Sequence, residues 1–358
     1  MPTSYNCLVS ITDNISPTSM PYNEFVLYRL KHYPNEKQIL ILLFKNSVEK
    51  GIVIPDGVEA YVVGTSLIKL RRIVGLVRKK YGHVTFHIHE AKSVIFFKLS
   101  TILQFNNNVT YTLHSTYINY PLHNKILSFC ASLLANNIVC VSKTSYKYYP
   151  VILKKIRGNH VMFIQNGVDT GRIDAVESPL AKDSISFTIV YVARLTSLKR
   201  HYILFDAMKN VADAKLLLIG KGPLEEQMKH EVVQKGIQDR VFFLGLLPRE
   251  EVYGILKNSD LYVSSSSYEG LPIGVLEAMG CGIPCLVSNI EQHAEIAERC
   301  PSLMLCSDDI NDWICQIAKI RDMSYQERVA IGSENKQAAN DYFSLARMHS
   351  YYDKLYGI

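Results

Sequence analysis

The sequence predicts an α/β protein made of two parallel-sheet modules in series, and three observations carry that prediction. Short β-branched and aromatic runs recur along the chain, each followed by a polar turn and then a stretch of helical periodicity, the pattern of strand, crossover helix, strand units. At 358 residues the chain exceeds what one hydrophobic core normally organises. The charge also divides in the middle: residues 1–170 carry 19 Lys and Arg against 8 Asp and Glu, whereas residues 171–358 carry 20 against 25.

A hydrophobic content of 48% with 20% charged residues belongs to a globular chain, not a disordered one. The eight cysteines form neither a CxxC pair nor a cluster with His at zinc spacing, so they read as reduced thiols, and no metal is expected. The first residues lack a basic segment followed by a long apolar one, so export and membrane insertion are not expected. The expected location is cytoplasmic, with peripheral association at the inner face of the plasma membrane through the basic first half. Nucleic acid is not an expected partner, because the basic residues are not interleaved with a recognition motif.

Residues 7–11, 39–44 and 60–63 read as strands, with a helix over 23–32 after the first. No GxGxxG follows that strand, which excludes the dinucleotide fingerprint of a dehydrogenase. Residues 66–81 predict an amphipathic basic helix with Leu67, Leu70, Val74 and Val77 on one face. Its cations belong either to a solvated face or to a membrane-surface element. Strands over 84–88 and 109–113 end in His89-Glu90 and His114-Ser115. Polar residues just past strand ends are where open α/β sheets bind ligands, so these four are candidates; the plainer role for each His is a structural hydrogen bond. Strands over 138–141 and 161–164 follow, then the turn Asn166-Gly167-Val168-Asp169 and a polar linker over 170–185.

The second module begins with a strand over 187–192. Arg194 lies just past it and Lys199 opens the next helix, a cation pair that suits a diphosphate, the alternative being two ordinary surface charges. Strands over 215–219 and 241–244 end in Gly220-Lys221-Gly222 and Gly245-Leu246-Leu247; glycines there let backbone approach a ligand closely. The stretch 264–289 organises the module: a strand stops in a serine cluster, Pro272 takes the first position of an apolar helix, and a strand over 283–287 follows. A helix N-terminus facing a polar loop favours phosphate. Glu277, alone on an apolar helix, needs a partner, either a ligand hydroxyl or an internal salt bridge. Glu269 either complements the helix dipole or meets a ligand. Helices dominate from 289 onward.

The run Glu269-Gly270-Leu271-Pro272-Ile273-Gly274-Val275-Leu276-Glu277-Ala278-Met279 resembles the signature of retaining GT-B glycosyltransferases of family 4, and the similarity extends over 187–298. The resemblance implies two Rossmann-like domains facing across a cleft: 1–170 for the acceptor, 171–340 for the nucleotide-sugar donor, and a helix over 341–358 crossing back to the first. It implies that Arg194 and Lys199 hold the diphosphate, Glu277 the ribose hydroxyls and Glu269 the transferred sugar, with the backbone of Gly270, Leu271, Pro272, Ile273 and Gly274 against sugar or phosphates. Gly220, Gly222 and Leu247 would lie near the nucleoside. His114 would face the sugar and join Glu269, Arg194 and Lys199 in the catalytic set, with His89, Glu90 and Ser115 on the acceptor side. The implied reaction moves a hexose or hexosamine, from a UDP-sugar in preference to a GDP-sugar, onto a glycan acceptor on a polyprenyl diphosphate. Its setting would be bacterial O-antigen or capsule synthesis, with no metal or cofactor. The alternatives are a sugar-nucleotide epimerase or hydrolase on the same scaffold, or a non-catalytic sugar-nucleotide-binding protein. Two departures from the family pattern stand out: residues 13–21 contain no Gly, and Ser288-Asn289-Ile290-Glu291-Gln292-His293 replaces a Gly-Gly loop.

Overall fold

The alternating strand and helix signals resolve into two sheets, both entirely parallel. The computed structural model describes residues 6–13, 20–45, 54–102, 107–177, 186–211 and 213–357. The glycine-free loop after the first strand therefore lies outside the described residues from 14 to 19, and the linker does so from 178 to 185. Two compact units divide the chain, one of residues 1–166 with 348–358 and one of residues 167–347.

The first unit holds β1 (Asn6–Thr12), α1 (Met20–His32), β2 (Glu36–Leu43), β3 (Glu59–Gly64), α2 (Leu67–Tyr81), β4 (Val84–Ile88), α3 (Ala91–Ser100), β5 (Asn108–Leu113), α4 (Leu122–Leu134), β6 (Asn137–Cys140), α5 (Lys143–Lys147), α6 (Val151–Arg157) and β7 (Val161–Phe163). Its sheet runs β3-β2-β1-β4-β5-β6-β7, and the strand order reverses between β1 and β4. The inner strands are buried on both faces, which is why they read as unbroken apolar runs, not as alternating ones, whereas the edge strands β3 and β7 are only partly covered. Ser66 caps α2 by accepting from the Lys69 N–H, and the helix buries Leu70, Ile73, Val74 and Val77 while leaving Leu67 exposed. On this side of the sheet α2 packs on α3, α3 on α4 and α4 on α6, a continuous helical layer.

The second unit holds α7 (Thr170–Ala175), β8 (Phe187–Val192), α8 (His201–Asn210), β9 (Ala214–Ile219), α9 (Glu225–Gln234), β10 (Val241–Gly245), α10 (Arg249–Asn258), β11 (Leu261–Ser264), α11 (Ile273–Gly280), β12 (Cys285–Ser288), α12 (Glu291–Ala297), β13 (Met304–Cys306), α13 (Ile310–Asp322) and α14 (Tyr325–Tyr342). Its sheet runs β10-β9-β8-β11-β12-β13, reversing between β8 and β11. β13 falls in the stretch that sequence reading assigns mostly to helices; three residues are too few to show a strand period. Pro272 is the cap of α11, one position earlier than expected.

The last helix, α15 (Leu345–Tyr356), carries residues 348–358 into the first unit. A fully buried Arg29 joins Glu36 at 2.5 Å and Asp353 at 2.8 Å, with the His349 ring stacked on Tyr28. Tyr352 shares a hydrogen bond with Thr112 at 3.1 Å, and Tyr356 one with His87 at 3.0 Å. A buried guanidinium needs such charged partners, and here both are carboxylates.

Candidate active site

Open doubly wound sheets bind ligands beyond the strand C-termini where the order reverses. In the second unit that point is the gap between β8 and β11, and the sequence candidates converge on it. The chain leaves β8 through Ala193, exposed Arg194 and a 3-10 turn at Ser197–Lys199. It leaves β11 through Ser265, Ser266 and Ser267. The two exits are stitched together. Ser265 Oγ donates to the Lys199 and Arg200 carbonyls at 2.9 and 3.1 Å, the Ser267 N–H to the Leu198 carbonyl at 2.9 Å, and Tyr191 Oη to the Lys199 carbonyl at 3.2 Å. In return Arg200 donates to the Ser265 carbonyl at 2.7 Å and the Ser266 carbonyl at 3.2 Å. The serine cluster, buried throughout Ser264 to Ser266, is thus the frame of the site.

Within that frame Lys199 forms an ion pair with Glu269. Burial pulls the Lys199 ammonium down, but the Glu269 carboxylate and the Tyr191 hydroxyl outweigh it, so its pKa is raised and the side chain stays charged. Arg194 has no ion-pair partner among the described residues. Leu271 and Pro272 are buried, and no side chain caps α11, so its N-terminal partial charge stands at the same edge as the two cations. A site of two cations, one carboxylate and a helix N-terminus can bind a diphosphate and a hydroxyl group together.

Glu277 resolves into the internal salt bridge, one of the two roles open to it. It is 2% exposed, its two oxygens accept from Arg249 at 2.7 and 2.9 Å, and Tyr253 donates to it at 3.0 Å. Burial raises its pKa against the opposing Arg249 charge. Arg249 and Tyr253 lie on α10, 28 and 24 residues before Glu277 in sequence, and nothing in the local pattern marks them as its partners.

The glycines have a reason that sequence reading assigned elsewhere. A Cβ on Gly220, which sits at φ +140°, would lie 2.0 Å from the Ala193 carbonyl oxygen, and one on Gly222 would lie 2.2 Å from that of Leu195. The backbone they admit is the loop carrying Arg194. A Cβ on Gly274 would lie 2.7 Å from Tyr262 Oη and 3.2 Å from the Val192 oxygen, so Gly274 lets the start of α11 reach the end of β8. Leu247 packs half-buried against the core. His293, at the altered loop, is fully buried. Its Nδ1 lies 2.7 Å from the Ser288 carbonyl, Nε2 has no hydrogen-bond partner among the described residues, and burial lowers its pKa to about 4.

In the first unit the reversal between β1 and β4 gathers the other candidates. His89 Nδ1 and His114 Nε2 share a hydrogen bond at 3.0 Å with the rings stacked. Burial keeps both neutral, His114 falling to about 4 and His89 well below its usual value. Glu90 accepts from Thr12 Oγ1 at 2.7 Å and the Asp13 N–H at 3.2 Å. Burial, then the Asp13 charge, push it up to about 7. Asp13 pairs with Lys92, and Ser115 is half-buried beside His114. A cavity of about 320 Å³ opens here, lined by Asp13, Glu90, Lys92, Tyr120, Asn124 and Leu127 among others, which is room for one sugar ring. Among the described residues no group of three or more His, Cys, Asp or Glu is placed to hold a metal ion.

Two doubly wound parallel sheets in series, one with cations and a helix N-terminus at its switch point, define the GT-B fold. The protein is a glycosyltransferase, its residues 173–333 matching the family described as glycosyl transferases group 1. It is 25% identical over 320 residues to the UDP-Gal:alpha-D-GlcNAc-diphosphoundecaprenol alpha-1,3-galactosyltransferase of Escherichia coli, covering 81% of each chain. It is 31% identical over 150 residues to the lipopolysaccharide core biosynthesis glycosyltransferase LpsD of Rhizobium meliloti, covering 41% of this chain and 43% of that one. Among solved structures, sucrose-phosphate synthase from Thermosynechococcus elongatus superposes with a TM-score of 0.80 at 17% identity over 98% of both chains. Anabaena Alr3699/HepE in complex with UDP and glucose gives 0.77 at 17% identity, over 98% of this chain and 100% of that one.

Proposed function

We propose that the protein is a retaining glycosyltransferase that moves a hexose or hexosamine from a UDP-sugar to a lipid-linked glycan acceptor at an anionic membrane surface, in bacterial polysaccharide assembly. The observation that carries the reading is the Lys199–Glu269 pair set beside Arg194 and the N-terminus of α11. On donor binding the pair exchanges partners: Lys199 turns to the diphosphate and Glu269 accepts from hydroxyls of the transferred sugar. As the bond from sugar to phosphate breaks, negative charge grows on the leaving diphosphate, and Arg194, Lys199 and the helix N-terminus stabilise it. Glu277 takes the ribose hydroxyls on lone pairs that Arg249 and Tyr253 leave unused. Gly220, Gly222 and Leu247 border the nucleoside, Gly270 to Gly274 the sugar and phosphates, and His114 serves the transferred sugar. His89, Glu90 and Ser115 serve the acceptor. No metal takes part.

The lipid-linked acceptor is supported by the similarity to the Escherichia coli galactosyltransferase, whose acceptor is a diphosphoundecaprenol-linked sugar. The test is a thermal-shift panel of UDP, GDP, dTDP and ADP with their sugar conjugates, in EDTA. Stabilisation by UDP alone is expected, because a ligand of the native state raises apparent stability with concentration. No shift with any nucleotide overturns the donor site. Transfer that inverts the anomeric centre overturns the retaining assignment.

A further inference from the structure

The helical layer of the first unit has a surface that its fold does not need. Residues 60–168 hold 14 Lys and Arg and a single carboxylate residue, Glu90. In the same layer α4 exposes Leu122 by 74% and Ile126 by 57%, and the stripe continues through Leu133 and Leu134. Its neighbour α6 exposes Val151 by 62%, Ile152 by 54% and Ile156 by 57%, beside exposed Lys155. Single exposed apolar residues are ordinary, but stripes at helical spacing on two packed helices are not. Protein interfaces are depleted in Lys, whereas helices that lie in a lipid headgroup layer pair apolar residues with Lys and Arg. The scarcity of carboxylates, Glu90 alone against 14 Lys and Arg, decides between the two, since an anionic bilayer repels them. The other flank of the same helix, through Asn124 and Leu127, lines the 320 Å³ cavity at the sheet edge.

We propose that the exposed face of α4 and α6 seats the first unit on an anionic phospholipid bilayer. Leu122, Ile126, Val151, Ile152 and Ile156 enter the headgroup boundary, and Lys125 and Lys155 meet lipid phosphates. The docking helix α4 then sets its cavity next to the bilayer, so the sugar of a lipid-linked acceptor reaches it without leaving the membrane. This part rests on the lipid-linked acceptor proposed above. Of the two roles the sequence leaves open for the basic helix α2, this assignment takes the solvated face and gives the membrane contact to α4 and α6 further along the same layer.

The test is co-sedimentation of the full chain with phosphatidylcholine vesicles, with and without phosphatidylglycerol. Wild type is expected to bind only the anionic vesicles and to release as salt rises. Ile126→Glu with Ile152→Glu is expected to weaken binding at least about tenfold, whereas Arg72→Gln with Lys79→Gln on α2, an equal change of charge, is expected to weaken it about threefold or less. Both pairs lie on exposed positions, and an unchanged UDP thermal shift in each shows that the fold and donor site are intact. Three results overturn the proposal: wild type that ignores anionic vesicles, the α4–α6 variant binding as wild type does, or the α2 variant losing more. A wild-type dimer in solution that the α4–α6 variant dissolves assigns the face to a second copy and overturns it as well. The donor reading fails separately, through loss of the UDP shift in a wild type that still binds vesicles.

Discussion

The two roles open to Glu277 separate when Arg249→Met and Glu277→Gln are compared in stability and in nucleotide binding. Arg249→Met leaves the carboxylate, 2% exposed, with the hydrogen bond from Tyr253 but without its countercharge. Breaking a buried pair from one side costs about 3–5 kcal/mol. The carboxylate recovers part of that by taking a proton, because its pKa, already raised by burial, rises further once the opposing charge is gone. A folded-state pKa above the unfolded one means stability that is present at low pH and lost as pH rises, so the deficit is largest near pH 8 and shrinks on acidification. At pH 8 a loss of about 3 kcal/mol corresponds to a melting shift of roughly 10 °C for a unit of this size. Glu277→Gln keeps the volume and the Tyr253 hydrogen bond and leaves Arg249, with 15% of its side chain exposed, able to hydrate; about 1–2 kcal/mol is expected. The same variant is expected to lose about tenfold in UDP-sugar affinity, or 1.4 kcal/mol. Urea unfolding at pH 6 and 8, with UDP titrated in a thermal-shift assay, reads both. An Arg249→Met protein as stable as wild type at pH 8 refutes the buried pair as the support of Glu277. Unchanged UDP-sugar affinity in Glu277→Gln refutes its ligand role.

Lys199→Ala is expected to lower turnover at least about tenfold without unfolding the chain; steady-state rates and circular dichroism check it, and full activity sinks the diphosphate site. Gly222→Ala places a Cβ 2.2 Å from the Leu195 carbonyl oxygen, so the loop bearing Arg194 has to move, with a loss of about 1–3 kcal/mol in urea unfolding and weaker UDP binding. The first unit is expected to respond to pH in two opposing senses below neutrality. His87 and His114, held by burial at about 3 and about 4, stabilise fully above pH 6.5 and less as pH falls, by roughly 2 kcal/mol each at pH 5. Glu90, raised to about 7, acts in the opposite sense. Its contribution is present below about pH 4.5 and lost as pH rises through 7, and Glu90→Gln should remove that loss and so steepen the net gain in stability from pH 5 to 7. Urea midpoints across pH 5–8 test both signs.

The inner strands were legible because burial on both faces makes each a short unbroken apolar run, and the strand ends fall within a few residues of the expected ones. β13 was not legible, since Met304–Cys306 is shorter than any period. Nor did α3 show itself, because AKSVIFFKLS is too evenly apolar to display a stripe. In the site, Lys199, Glu269 and the start of α11 could be placed together because each follows directly on a strand end, where topology brings ligand groups together. Arg249 and Tyr253 could not, because α10 meets α11 only through tertiary packing and a residue 28 positions away leaves no periodic trace.

Sequence reading and structure diverge most instructively on what the small and hydroxylated residues do. Read locally, Gly220 and Gly222 make room for a ligand and the serines simply end a strand. In the fold, the glycines admit the Ala193–Leu195 backbone, and Ser265 is clasped with Arg200 through bonds in both directions. Arg200 sits in the left-handed region, φ 48° and ψ 44°, which costs a non-glycine residue about 1–2 kcal/mol. Its two bonds to the Ser265 and Ser266 carbonyls and its ion pair with Asp308 at 2.8 Å offset that strain. The residue held by this clasp is the one directly before it, Lys199, whose own carbonyl accepts from both Ser265 and Tyr191. The backbone of the cation is therefore fixed before any nucleotide arrives, while its side chain is kept charged by Glu269. Preorganisation of this kind is what an electrostatic site needs, since charges that do not have to be reoriented as the leaving group forms stabilise it most.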